Sequence, residues 1–289
     1  MDSFGPQAPL HGRHRDDDDR RETPLGIAVD SRRRTALVEA LAEDWRCEPW
    51  RAHGCDAARI YERVLFGEDW ADATTSVLGD HASSTSDNAV RVAPIAVVEP
   101  DLMRLTGHAQ AAGRVTHGDR PGLGWAVVHA AAVALALHAP LRAPLSVPSF
   151  LDGLGAFLEP GEFAEELEEV RKFAGWVTPH LAAGHLGTVR PDLSQVAMSL
   201  LAFLRHPNSF VDAVEFAVRM GGATNVVAAM TGAVAGARHG ASRIPLGWLA
   251  RLENGPRLHL LADQLVRVRS LHEPAVEPPP PGRLTTGWS

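Results

Sequence analysis

Lysine is nearly absent. Lys172 is the one lysine in 289 residues, so arginine carries almost all the positive charge. With so much alanine and glycine, this reads as a coding bias more than a functional signature. Cysteine is scarce too, at Cys47 and Cys55 only. Two cysteines make neither a disulfide framework nor a zinc-finger spacing, and they read as free thiols of a reducing compartment. Long apolar runs are missing. The nearest, 126–139, contains His129 and His138 and falls short of the roughly 18–20 residues needed to span a bilayer. The N-terminus has no apolar core of the secretory kind. The expectation is a cytoplasmic protein with no membrane association. Basic excess is also missing. A net charge of −7 argues against a general nucleic-acid or anionic-membrane binder. Neither a sustained period-two pattern nor a fixed-period repeat occurs, which excludes sheet architectures and solenoids.

What remains is an ordinary globular composition, 45% hydrophobic and 22% charged, and it patterns as helices. Apolar residues recur at helical spacing over 35–45, 57–66, 70–78, 100–112, 123–137, 150–158, 161–175, 193–204 and 209–219. Further helices follow over 245–252 and 256–268. Residues 81–88 read as a polar loop and the proline-rich 140–148 as a break. The expectation is an all-α protein with one compact domain over 25–272. Residues 1–24 read as a disordered tail with Asp16 to Asp19 solvated among arginines, and 273–289 as a proline-rich one.

One stretch organises the chain. Gly221-Gly222-Ala223-Thr224-Asn225 runs as a turn into a helix of small residues, in which Gly232, Gly236 and Gly240 fall four apart. That spacing lines one helical face. Helical glycine costs roughly 1 kcal/mol against alanine, so a closely packed neighbouring backbone is expected there. The helix start is also a place where free N–H groups and the dipole favour an anion.

Gly221-Gly222-Ala223-Thr224-Asn225, followed by Ala228-Ala229 and Gly232-Ala233-x-x-Gly236-Ala237, resembles the closing motif of the ADP-ribosylglycohydrolase family. That pattern is Gly-Gly-Asp-Thr-Asp-Thr, then Ala-Ala and Gly-Ala-x-x-Gly-Ala. Arg91-x-Ala93-Pro94 resembles the family's Met-Arg-x-Ala-Pro stretch, and Thr116-His117 its Thr-His pair. Gly26-x-x-Val29-Asp30-Ser31 aligns with Gly-x-x-Thr-Asp-Asp-Thr, and Ile244-Pro245-x-x-Trp248-Leu249 with the segment leading out. The resemblance covers about 25–268. It implies the family's all-α fold and its enzymes, which remove ADP-ribose from arginine using a pair of Mg²⁺ or Mn²⁺ ions.

The ligand set departs from that pattern. The family holds its metals with the Thr-Asp-Asp triple and the closing Asp-x-Asp-Thr. Here Val29, Ser31, Ala223, Asn225 and Val226 stand at those positions, and Asp30 is the one carboxylate of four that remains. Two divalent cations held close together need neutralising carboxylates. The expectation is therefore no metal site and no cofactor. The family's opening helix has no match, and Thr85-Ser86-Asp87-Asn88 replaces its Gly-Asn-Gly loop.

Each candidate has two readings. Asp30 is a lone general acid/base or a helix N-cap. Asp87 and Asn88 touch ligand or shape a turn. Arg91 binds ligand or ties loops together. His117 is catalytic or a satisfied buried histidine. Gly221, Gly222, Thr224 and Asn225 bind an anionic group or simply start the helix. Two functions follow. One is a degenerate member that has lost hydrolysis and keeps a cleft for a small, ADP-ribose-like ligand. The other is a recruited metal-independent enzyme of a specialised pathway, with Asp30, Asp87 and His117 as acid/base groups. A residual ADP-ribosyl-arginine hydrolase is a third, weaker reading.

Overall fold

The computed structural model describes residues 24–51, 54–79, 87–118, 120–141, 143–158, 163–175, 177–189 and 194–272. The first half of the chain forms α1 (Pro24–Cys47), α2 (Cys55–Leu65), α3 (Trp70–Leu78), α4 (Asp87–Val90), α5 (Ala93–Val98), α6 (Leu102–Arg114) and α7 (Arg120–His138). The second half forms α8 (Val147–Gly155), α9 (Ala164–Phe173), α10 (Pro179–Val189), α11 (Ser194–Arg205), α12 (Phe210–Met220), α13 (Thr224–His239), α14 (Leu246–Leu249) and α15 (Gly255–His272). A 3₁₀ turn, Ala241–Arg243, follows α13. Among the described residues there is no strand, so the fold is all-α. No helix among them is long and apolar enough to cross a membrane.

Helix α7 is the axis of the core. From Gly122 to Ala134 every residue is buried. A helix apolar all round must be covered on every side. Helices α4, α5, α6, α8, α11 and α13 pack around it, and its alanines keep the covering layers close. α13 is clasped in turn by α11 and α12. Several helices begin on side-chain caps that satisfy otherwise orphaned N–H groups. Asp101 accepts from the Met103 and Arg104 amides at 2.9 and 3.3 Å. Ser209 accepts from Asp212 at 3.2 Å, and Ser146 from Ser149 at 3.3 Å ahead of Pro148.

Four sequence expectations change. α1 begins at Pro24, not near residue 35, so Asp30 lies inside a helix and its N-cap reading fails. Asp87 and Asn88, expected in a loop, form the first turn of α4. α5 and α10 were not anticipated. The first is only six residues long, and the second mixes glycine and histidine into its apolar pattern. The glycine stripe of α13 meets side chains rather than a backbone. A Cβ on Gly232 would lie 3.9 Å from Val214, and one on Gly236 3.9 Å from Phe210, both ordinary contacts. Gly240 ends the helix at φ 76° and ψ 166°, a region only glycine occupies readily. Of the expected tails, 1–24 and 273–289, all but Pro24, which opens α1, lie outside the described residues.

Candidate functional site

The segment after α6 is where three of the candidates, Asn88, Arg91 and His117, come together. Gly113 closes α6, and its carbonyl accepts from the Thr116 and His117 amides at 3.2 and 3.1 Å. That turn brings Thr116 and His117 inward, 1% and 3% exposed. Thr74 of α3 donates to the Val115 carbonyl at 3.1 Å, fastening the turn from the other side. The Thr116 hydroxyl meets His117 Nδ1 at 2.9 Å.

Arg91 reaches this pair from the turn after α4. Its guanidinium donates to the Thr116 hydroxyl, and its other terminal nitrogen reaches the Tyr61 hydroxyl of α2 at 3.4 Å. Guanidinium only donates. The Thr116 oxygen therefore accepts from Arg91 while it also hydrogen-bonds His117 Nδ1. Tyr61, Arg91, Thr116 and His117 thus link α2, the α4–α5 turn and the end of α6.

Asn88 is fully buried beside them. Its Nδ2 donates to the Gly122 carbonyl at the start of α7 at 3.0 Å. Gly113 makes room for it, since a Cβ there would stand 3.0 Å from Asn88 Nδ2 and 2.7 Å from Leu123 Cδ2. The sequence reading missed Gly113, Tyr61 and the part Thr116 plays. Tyr61 carried one signal, being the only tyrosine in the chain.

The closing motif is built differently. Gly221 and Gly222 both have positive φ, 80° and 65°, so their identity is set by backbone conformation. A Cβ on either would meet nothing within 4 Å. Ala223 is the N-cap of α13 and offers no side-chain acceptor. Its carbonyl accepts from Val226 and Val227 at 3.0 Å each. Thr224 turns back to the Gly222 carbonyl, its Oγ1 at 3.3 Å, and Asn225 is exposed. The side chains of Asp30 and Asp87 lie outside the described residues, so the structure groups Asn88, Arg91 and His117 and leaves the other two ungrouped. Among the described residues no three His, Cys, Asp or Glu side chains stand together as a metal-holding group. A surface depression of about 470 Å³ lies on α9, lined by Ala164, Glu165, Glu168 and Glu169, and contains none of the candidates.

The ADP-ribosylglycohydrolase family model matches residues 20–275. ADP-ribosylhydrolase ARH3 of Gallus gallus is 23% identical over 261 residues, covering 79% of this chain and 70% of the relative. The Homo sapiens protein of that name is 23% identical over 260 residues, with 80% and 72% covered. The Xenopus tropicalis one is 25% identical over 265 residues, with 78% and 74% covered. A solved structure described as an ADP-ribosylglycohydrolase-related protein complex superposes with a TM-score of 0.59 at 26% identity, covering 82% of this chain and 81% of its own. The chain belongs to the ADP-ribosylglycohydrolase family.

Proposed function

We propose that this chain is a divergent ADP-ribosylglycohydrolase-fold protein that has lost dinuclear-metal hydrolysis and keeps a site for a small, ADP-ribose-like ligand. The observation that carries the reading is the start of α13. There the N-cap is the methyl side chain of Ala223, where the family motif places a carboxylate. Hard divalent cations take charged oxygen ligands. Ala223 and Val226 offer none, and Asn225 offers only a neutral amide. The donor set does not fit a metal pair, and no step of this reading passes through one.

Binding does not need the metals. The Gly221-Gly222 turn opens into the N-terminus of α13, where the helix dipole favours a phosphate-like anion. Thr224 and Asn225 flank that end. Arg91, held by Thr116, supplies a polar side chain from the turn after α4. The alternative of a recruited acid/base enzyme gains nothing from His117, whose Nδ1 is engaged by Thr116 and whose ring is buried.

Calorimetric titration of ADP-ribose, with and without Mg²⁺ or Mn²⁺, tests the reading. Binding of equal strength in both conditions is the expected result. Binding strengthened by either metal restores the hydrolase reading. No binding in either condition means a cleft remade for another molecule.

A further inference from the structure

The polar interior of α7 is not absorbed by that function. Gly122, Trp125 and His129 recur at i, i+3 and i+7 along α7, so they share one face over about 10 Å of helix. Asn88 sits on the first of these turns through its bond to the Gly122 carbonyl. Asn88, Trp125 and His129 are each fully buried. Yet Asn88 Oδ1, Trp125 Nε1 and both ring nitrogens of His129 have no hydrogen-bond partner in the protein. Phe163 covers the indole of Trp125, with ring centroids 4.2 Å apart, and supplies no polar group in return.

We propose that this face of α7 is a built site for a row of internal water molecules. The chemistry of the unpaired set matches water. Asn88 Oδ1 needs a donor. Trp125 Nε1 needs an acceptor. Neutral His129 needs one of each. Water supplies both roles in one molecule, and buried water in proteins typically makes about three hydrogen bonds to such groups. The two nitrogens of His129 sit on different edges of the ring, so one molecule cannot serve both, and the site takes at least two. Leaving the four groups dry would cost each of them its full desolvation penalty, which a marginally stable domain does not carry on its central helix without compensation. A charged ligand is disfavoured, because no ionised partner is among these residues and an unpaired buried charge is more costly still. The waters would join α4 to α7, bracing Asn88 from inside.

The test is water-to-protein magnetisation transfer by NMR on the intact chain, together with a crystal structure that shows ordered solvent. The expected result is slowly exchanging water in contact with both the Trp125 indole N–H and the His129 ring. Water at only one of the rings overturns the row, and so does water at neither. His129→Leu provides a second readout. If the site is wet, the variant loses the water signal at that turn, and the thermal midpoint falls by roughly 2–4 °C. A rise in midpoint means that His129 was an uncompensated dry polar group, and the proposal fails.

Discussion

Gly113 and Asn88 are sterically interlocked: a Cβ on Gly113 would lie 3.0 Å from Asn88 Nδ2, and 2.7 Å from Leu123 Cδ2 as well. Asn88 Nδ2 is committed to the Gly122 carbonyl and cannot swing aside without breaking that bond. Gly113→Ala is therefore expected to destabilise the protein by about 1–3 kcal/mol, the usual cost of overpacking. Chemical denaturation reads this as a lower midpoint at unchanged slope. A variant as stable as the parent would show that α4 and α6 separate more easily than the contact suggests.

Gly222→Ala places a side chain at φ 65° in open space. Nothing blocks the Cβ, so the cost is purely conformational, about 1–2 kcal/mol. The substitution also shifts the turn that presents the start of α13. The expected pairing is a small loss of stability with a larger loss of ADP-ribose affinity. Equal affinity in parent and variant would remove the turn from the binding site.

Burial holds the His129 imidazole far below its ordinary value, at about 4. The native state thus keeps His129 neutral where the unfolded chain, at about 6.5, takes up a proton. Below about pH 6.5 the unfolded state binds more protons, so stability falls as pH falls. The loss accumulates down to about pH 4 and reaches roughly 3 kcal/mol. His206 and His239 are lowered in the same direction, chiefly by burial. Comparing denaturation of the parent and His129→Leu across this window isolates one group. The variant is expected to have a flatter acid limb, and identical limbs would assign the acid sensitivity elsewhere.

Ala223→Asp combined with Asn225→Asp restores two carboxylates to the closing motif. Val29, Ser31 and Val226 remain without the family's ligands. The double variant is expected to show no metal-dependent release of ADP-ribose from an arginine-linked substrate. Robust turnover with Mg²⁺ or Mn²⁺ would show that the proposed loss of hydrolysis rests on those two positions alone.

Arg238 is 4% exposed and ties two loops together. Its Nε donates to the Pro207 carbonyl at 3.0 Å and its Nη2 to Ala143 at 3.1 Å, with no carboxylate beside it among the described residues. Burial pulls its guanidinium below the ordinary range. Arg238→Ala loses stem packing as well as these bonds, whereas Arg238→Met keeps the stem and removes a costly buried charge. Thermal melts should place methionine above alanine by roughly 1–3 kcal/mol. The reverse order would mean that the stem contributes no packing at this site.

Helix and family were legible because they depend on local pattern. Apolar periodicity marked α7, α11 and α12, and the Gly-Gly turn running into small residues marked α13. The same chemistry exposed Ala223 and Asn225 as poor metal ligands without coordinates. Short or irregular helices were not legible. α5 has too few residues to show a period, and α1 gave no start signal near Pro24. The glycine stripe misled because spacing reports only which face residues share, never what stands opposite. Val214 and Phe210 stand there, contributed by α12.

Tertiary structure alone decided which distant residues meet. Arg91, Tyr61 and the Thr116–His117 pair come from separate elements, and no local rule predicts that a guanidinium will meet a histidine's threonine partner. The same holds for Asn88 against Gly113 and Gly122. Local sequence determines backbone preference and donor chemistry, because both are properties of a residue and its near neighbours. Burial and pairing are properties of the packed whole, which is why His129 is an unremarkable histidine in the chain and an unpaired polar group at the centre of the fold.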